Sequence, residues 1–157
     1  MNGPEDGAMA VKPPQERRSA LLVDDEEDFT SALAERLSLR HIHADTAVNG
    51  HDALRQAEQR RYDAIVLDLA MPGIDGLETL RRLLQINPDL QVIVLTGRGS
   101  TDKAVQAMKL GALDFLEKPV EIGTLIGLID DAATKRTSLE QRRLDKKVDD
   151  IIRKKGW

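Results

Sequence analysis

From residue 19 onward, short apolar runs alternate with longer amphipathic stretches, and this alternation limits the possible folds more than any other feature. Five such repeats can be counted, with strands predicted at residues 20–23, 42–46, 64–67, 92–95 and 114–116. Strand–helix alternation is typical of a parallel sheet with helices on both faces. The third and fourth runs are continuously apolar, as expected for strands buried on both faces. The chain is therefore predicted to form a doubly wound α/β domain around a five-stranded parallel sheet.

Between the predicted strands, apolar residues recur at helical spacing, which predicts a helix after each strand. These residues are Phe29, Leu33, Leu37, Leu77, Leu80, Leu83, Leu84, Val105, Met108, Leu110, Ile122, Leu125, Ile126 and Ile129. In the last helix, Gly123 and Gly127 lie four positions apart on another side. Two explanations stay open for them: a tolerated loss of helix stability of about 1 kcal/mol per glycine relative to alanine, or a close-approach surface for a partner or a second subunit.

Length and composition favour one compact domain with a polar extension, since the 157 residues are 41% hydrophobic and 32% charged. Residues 1–18 mix Gly, Pro and charge without an apolar period and are predicted to be a flexible arm. Residues 19–136 would form the domain, and residues 137–157 a charged helical extension. Within the extension, Leu144, Val148 and Ile151 form one stripe. Continuation of the last helix is favoured over a dimerising or relay helix, because under two heptads cannot sustain a coiled coil.

Several classes of function are excluded by composition. The chain has no cysteine, which excludes disulfides, thiolate zinc sites and cysteine nucleophiles. No apolar run approaches the ~20 residues that span a bilayer, and no signal-peptide pattern is present, so a cytoplasmic location is expected. The formal charge of −4, with one Trp, one Tyr and two Phe, offers neither a basic surface nor stacking platforms. Direct nucleic-acid binding by this chain is not expected.

Polar residues stand where the predicted strands end. Asp24 and Asp25 follow the first strand, Asp68 the third, Thr96 the fourth and Lys118 the fifth. The functional crevice of a parallel α/β sheet lies at the carboxyl ends of its strands, so these five side chains are predicted to share one pocket. Three close carboxylates repel one another unless a cation and a lysine share their charge, and hard oxygen ligands favour Mg²⁺. Each residue alone has an ordinary explanation at a strand end or turn, but their convergence on one edge indicates a site.

Four segments, taken in order, resemble the receiver domains of bacterial response regulators. LLVDDEED carries the acidic pair, IVLDLAMPGIDGLE surrounds the family's phosphoacceptor, VIVLTGRG holds its switch threonine, and GALDFLEKP holds its lysine and following proline. The resemblance covers residues 19–136 and implies the flavodoxin-like strand order 2-1-3-4-5. The run GSTDKAVQAMKLGALDFLEKP is similar to receivers attached to ATPase-type transcription activators. The chain is therefore either a stand-alone regulator or part of a larger protein.

The resemblance implies a role for each polar residue. Asp68 would be the phosphorylated carboxylate. Asp25, Asp24 (partly through water), Asp68 and the main-chain carbonyl of Ala70 would hold Mg²⁺. Lys118 would pair with the phosphoryl group. Phosphoryl transfer to a carboxylate needs charge neutralisation and in-line positioning and no proton-abstracting base, and these residues supply both.

A switch and a partner are also implied by the resemblance. The Lys118–Pro119 peptide would be cis, aiming the lysine inward. Thr96 would donate a hydrogen bond to a phosphoryl oxygen, and Phe115 would fill the space that it leaves, although an ordinary core position for Phe115 stays equally open. The phosphodonor would be a sensor histidine kinase. The signal would leave through helix 4, strand 5 and helix 5, with a homodimer through the last helix. Such a domain is not a turnover enzyme, because it catalyses only its own phosphorylation and dephosphorylation.

Three other functions are compatible with an α/β fold that carries a reactive aspartate or a ligand site at this edge. A haloacid-dehalogenase-type phosphatase needs a second Asp two residues after its nucleophile, and Ala70 stands there. A flavodoxin-like cofactor domain needs a Gly- or Ser/Thr-rich phosphate loop after strand one, where this chain has DDEED. The remaining alternative is a phosphorylation-independent docking scaffold with the same fold, which the presence of all five site residues disfavours.

Overall fold

The computed structural model describes residues 17–71 and 75–156, in which five strands alternate with five helices. In chain order the elements are β1 (Arg18–Val23), α1 (Glu27–Ser38), β2 (Ile42–Ala47), α2 (Gly50–Gln59), β3 (Ala64–Asp68), α3 (Gly76–Ile86), β4 (Val92–Thr96), α4 (Thr101–Leu110), β5 (Asp114–Glu117) and α5 (Ile122–Lys154). The strands form one sheet in the order β2-β1-β3-β4-β5, and every neighbouring pair is parallel. The predicted doubly wound fold and its strand order are confirmed.

The strand boundaries differ from the predicted ones by one or two residues. Strand β1 begins at Arg18 rather than residue 20, and Asp68 and Thr96 are the last residues of β3 and β4 rather than the first residues after them. Residues 1–16 of the predicted arm lie outside the described residues. The shift places Asp68 and Thr96 on the sheet itself, where ladder hydrogen bonds hold their backbone.

Alternate residues of the strands build one core on each face of the sheet, as the period of two requires. One core lies under α2, α3 and α4 and contains Leu21, Val23, Ile65, Leu67, Val92, Val94, Ala53, Leu80, Leu83 and Ala107. The other lies under α1 and α5 and contains Ala20, Leu22, Val66, Ile93, Leu95, Leu33, Leu37, Leu125 and Ile129. Burial on both faces explains why β3 and β4 read as unbroken apolar runs.

Helix α4 turns a different face to the sheet from the one that its hydropathy predicts. Ala104 and Ala107 are buried, whereas Val105 is 47% and Met108 39% exposed. Both pairs are spaced three residues apart, so periodicity alone cannot tell which pair faces the sheet. Phe115 on neighbouring β5 is 41% exposed, so the alternative of an ordinary core position is wrong.

Helix α5 runs without a break for 33 residues, across the predicted boundary at residue 136. Glu121 caps its N-terminus by accepting hydrogen bonds from the N–H groups of Gly123 and Thr124 at 3.2 and 2.7 Å. Beyond the domain, the stripe of Leu144, Val148 and Ile151 is exposed. Although long, neither this helix nor any other in the described ranges is apolar enough to cross a membrane.

Candidate functional site

The sheet brings all five predicted polar residues to one edge, and backbone pairing fixes Asp24, Asp68 and Lys118 there. The N–H of Asp24, just after β1, donates to the carbonyl of Ala47 at 3.1 Å. The N–H of Lys118, just after β5, donates to the carbonyl of Thr96 at 2.8 Å. Asp68 pairs in register with Leu95 on β4. The carboxyl ends of β1, β3, β4 and β5 therefore meet as one acidic edge with a lysine beside it.

Oxygens of Asp24, Asp25 and Asp68 lie within 4.8 Å of one another. Asp24 and Asp68 are buried, at 1% and 5% exposure, while Asp25 is exposed. A site of hard carboxylate oxygens, partly open to solvent, suits Mg²⁺, which keeps several water ligands and takes one or two carboxylates. The donor set fits this ion, and a divalent charge would offset the repulsion between the three carboxylates.

The Asp68 carboxylate makes a different contact through each oxygen. Its Oδ1 accepts a hydrogen bond from the N–H of Ala70 at 3.1 Å, and its Oδ2 lies 3.6 Å from Lys118 Nζ. Burial raises the pKa of the Asp68 carboxyl above its ordinary value, and the charges of Asp24 and Asp25 add to the rise. The Ala70 hydrogen bond and the Lys118 charge oppose it. Positive charge at this edge therefore favours the ionised form, which is the nucleophilic one.

Lys118 reaches across the edge to the first strand. Its Nζ donates to Asp24 Oδ2 at 2.7 Å and lies 3.4 Å from Glu26 Oε1. Burial lowers the pKa of Lys118, but the hydrogen bond to Asp24 and the negative charges of Asp68, Asp24 and Glu26 outweigh it, so the net shift is upward. The Lys118–Pro119 peptide bond is cis. The lysine is thus held as an ammonium among the carboxylates.

Gly76 is required by the close approach of α3 to the backbone at the end of β3. A Cβ at this position would lie 2.3 Å from Leu69 Cα and 2.9 Å from the carbonyl oxygen of Asp68. Asp75 caps the same helix by accepting a hydrogen bond from Glu78 N–H at 2.8 Å. The glycine lets the first turn of α3 pack directly on the backbone that carries Asp68.

The remaining predicted residues lie around this cluster. Thr96 is 2% exposed, and its Oγ1 is 3.5 Å from the carbonyl of Leu116, a long contact that leaves the hydroxyl weakly held. Ala70 is exposed, and so is Arg98 in the loop after β4. Phe115 lies on β5, in register with Val94 rather than with Thr96.

Two residues near the lysine were missed in the sequence. Glu26 approaches Lys118 Nζ at 3.4 Å, and the Phe29 ring centroid lies 4.7 Å from the same atom. Glu26 directly follows the acidic pair Asp24 and Asp25, so its position in the sequence could have predicted that it lies near the lysine. The helical spacing of apolar residues predicts Phe29 as a core residue of α1. Such spacing cannot show that the ring of a core residue also contacts a charged side chain.

Comparison with known proteins places this geometry in a family. The family model described as the response regulator receiver domain matches residues 20–130. The transcriptional regulatory protein PrrA of Mycobacterium tuberculosis is 38% identical over 118 residues, which are 75% of this chain and 51% of PrrA. The C4-dicarboxylate transport transcriptional regulatory protein DctD of Pseudomonas aeruginosa is 40% identical over 125 residues, 79% of this chain and 26% of DctD.

One solved structure bears on the chemistry. A response regulator from Burkholderia pseudomallei, solved with a phosphorylated aspartic acid, a calcium ion and citrate, superposes with a TM-score of 0.68 at 32% identity. The match covers 78% of this chain and 72% of that one. The chain spans about half the length of PrrA and about a quarter of that of DctD.

Proposed function

Since the chain belongs to the response regulator receiver domain family, which acts in phosphorylation-dependent two-component signalling, we propose that Asp68 accepts a phosphoryl group from a sensor histidine kinase. The observation that carries the proposal is the cluster of Asp24, Asp25 and Asp68 with the Lys118 ammonium 3.6 Å from Asp68 Oδ2. This arrangement supplies a carboxylate nucleophile and the positive charge that phosphoryl transfer needs.

In the transfer, an Asp68 carboxylate oxygen forms a bond to phosphorus while the bond from phosphorus to the kinase imidazole breaks, and the imidazole nitrogen keeps the electron pair. Asp24, Asp25, Asp68 and the Ala70 carbonyl would hold Mg²⁺, which neutralises charge on the carboxylates and phosphoryl oxygens when bound. Lys118 would then pair with a phosphoryl oxygen. The domain would catalyse only its own phosphorylation and dephosphorylation.

The signal would pass from Thr96 to the face formed by α4, β5 and α5. The weakly held Thr96 hydroxyl can donate to a phosphoryl oxygen, and the half-exposed Phe115 side chain can move into the space that the threonine leaves. Val105 and Met108 expose apolar surface on the same face. Phosphorylation would shift an existing equilibrium between two arrangements of this face rather than build a new fold.

Partners of the switch follow from its size and surface. PrrA and DctD are transcriptional regulators of which this chain matches only a part, so a DNA-binding output would belong to a further domain or protein rather than to these residues. A homodimer through the last helix would be the output on this chain itself.

Mass spectrometry of the intact chain, after incubation with acetyl phosphate and Mg²⁺, tests the proposal. We expect one added phosphoryl group that is lost in alkali, as an acyl phosphate is. Asp68→Asn is the matched control and should remain unmodified. If no phosphodonor modifies the wild-type chain, the phosphorylation-independent docking scaffold is the better explanation.

A further inference from the structure

The Phe29 ring faces the Lys118 ammonium beside the acidic edge. The Nζ atom lies 4.7 Å from the ring centroid, inside the ~6 Å over which an aromatic face attracts a cation. Phe29 is half-buried in the first turn of α1, packed against the core under α1 and α5. Its ring is therefore held by the core on one side and presents a face to the lysine on the other.

All other close partners of the ammonium are carboxylates: Asp24 at 2.7 Å, Glu26 at 3.4 Å and Asp68 at 3.6 Å. Two of these, Asp24 and Asp68, belong to the proposed metal cluster, so Mg²⁺ and Lys118 would share the same two carboxylates. The ring is the one neighbour among the described contacts that attracts the ammonium without using a carboxylate oxygen. The Phe29 ring can therefore keep the lysine at the acidic edge while the carboxylates of Asp24 and Asp68 coordinate a metal ion.

Resting on the proposed function, we propose that Phe29 is a positioning residue for Lys118 in phosphoryl transfer. The ring holds the ammonium at the acidic edge when Asp24 and Asp68 are occupied, so that Lys118 meets the incoming phosphoryl group already in place. Phe29 touches neither the phosphoryl group nor the metal. Its effect passes through the lysine alone.

The chain has two phenylalanines, Phe29 and Phe115, which makes a sharp test practicable. In a Phe115→Leu background, biosynthetic incorporation of mono-, di- and trifluorophenylalanine modifies only Phe29. Fluorine withdraws electron density from the face of the ring and so weakens the attraction between the ring and a cation, while the size of the ring changes little. The rate of phosphorylation by acetyl phosphate at fixed Mg²⁺ should fall stepwise with fluorine number, relative to the unfluorinated Phe115→Leu chain.

Substitutions give the matched comparison. Phe29→Leu should slow phosphorylation about two- to five-fold, the range expected of a partly exposed cation–ring contact, and Phe29→Trp should restore the rate. Leu33→Val, one turn further along α1, removes buried volume without reaching the lysine. It should lower the melting temperature but leave the rate unchanged.

A second readout does not depend on phosphorylation. The ¹³C and ¹H resonances of the Lys118 ε-methylene, assigned by their loss in Lys118→Arg, should carry an upfield ring-current shift that Phe29→Leu abolishes and Phe29→Trp preserves. If the wild type accepts no phosphoryl group, the proposed function fails, and this shift alone decides whether the contact exists. A rate independent of fluorine number, an unshifted lysine signal, or equal slowing by Leu33→Val would overturn the role of Phe29.

Discussion

Arg136 on α5 donates two hydrogen bonds to the carboxylate of Asp63, 73 residues earlier in the chain, from Nε at 3.0 Å and Nη2 at 2.6 Å. Asp63 is buried just before β3 and also accepts from the N–H of Ser19 at 2.8 Å. The pair therefore joins α5, β1 and β3 at the end of the sheet opposite the acidic edge. Arg136 also contacts Glu140, which pairs with Arg61. These contacts hold the first turn of the helical extension against the domain.

Removal of this arginine should destabilise the fold. Arg136→Met leaves a buried carboxylate without its charged donors, and we expect the free energy of unfolding to fall by about 1.5–3 kcal/mol in urea denaturation. Arg143→Met is the matched control, because its ion pair with Asp89 involves a side chain that is 64% exposed. Its loss should change the free energy of unfolding far less than the loss of Arg136, because solvent screens an exposed ion pair. Equal losses of stability in the two variants would contradict the claim that the buried Asp63 carboxylate depends on Arg136.

Asp25→Ala should abolish Mg²⁺-dependent phosphorylation while the fold stays intact. The residue is exposed, so no packing is lost, and removal of one of three repelling carboxylates relieves strain in the metal-free chain. The measurements are phosphoprotein yield against Mg²⁺ concentration and the melting temperature without metal, which should stay equal or rise. Normal phosphorylation of Asp25→Ala at the usual Mg²⁺ concentration would refute its assignment as a ligand.

Asp68→Asn should stabilise the metal-free fold at neutral pH. Burial raises the folded-state pKa of Asp68 above its ordinary value, so protons bind this carboxyl more tightly in the folded than in the unfolded chain. Ionisation of Asp68 therefore lowers the stability of the fold as pH rises through the raised pKa, and this loss of stability is absent below the ordinary pKa of an aspartate. The melting temperature of Asp68→Asn should exceed that of the wild type at pH 7, with the gap closing on acidification. A difference in melting temperature that widens toward low pH would show that the pKa of Asp68 is lowered, not raised, by folding.

The phosphorylated form should be long-lived. Receivers that lose the phosphoryl group quickly tend to carry polar or acidic side chains two residues past the acceptor and two past the threonine, and here these positions are Ala70 and Arg98. Ala70 cannot orient a water, and the exposed Arg98 can cover the phosphoryl group with a charge-assisted hydrogen bond. The double variant Ala70→Asn, Arg98→Glu should shorten the half-life, followed by loss of the phosphoprotein after donor removal. An unchanged or longer half-life would count against this account.

Phosphorylation should increase self-association through the α4–β5–α5 face, measured by sedimentation velocity of the two forms. Gly127→Glu should prevent association and leave phosphorylation intact, because a Cβ at this exposed position meets nothing within 4 Å and the variant can fold. Leu144→Glu, on the exposed stripe of the extension, is the control and should still associate. If both forms of the wild type remain monomeric and Gly127→Glu still binds its target, the face is not the output surface. Dissociation caused by Leu144→Glu would instead assign the dimer to the extension.

The sequence by itself determined the five-stranded parallel sheet and its acidic edge, and the resemblance to receiver domains implied the strand order. Strands β3 and β4 could be recognised because burial on both faces demands an unbroken apolar run, and polar residues directly after such runs must lie at the carboxyl edge. Asp24, Asp68 and Lys118 were therefore predictable as neighbours although 94 residues separate the first from the last. Parallel topology alone brings such positions together, whatever the detailed packing.

Tertiary structure decided which of two equally spaced stripes a helix buries and which charged groups meet. On α4 the buried pair is Ala104 and Ala107, whereas Val105 and Met108 stay partly exposed, although hydropathy favours burial of the second pair. The Phe29 ring meets Lys118, and Arg136 meets Asp63, only because helices α1 and α5 each pack against the core on one face of the sheet. Such contacts join residues far apart in the chain through side-chain positions that the packed core fixes, and no local pattern encodes them.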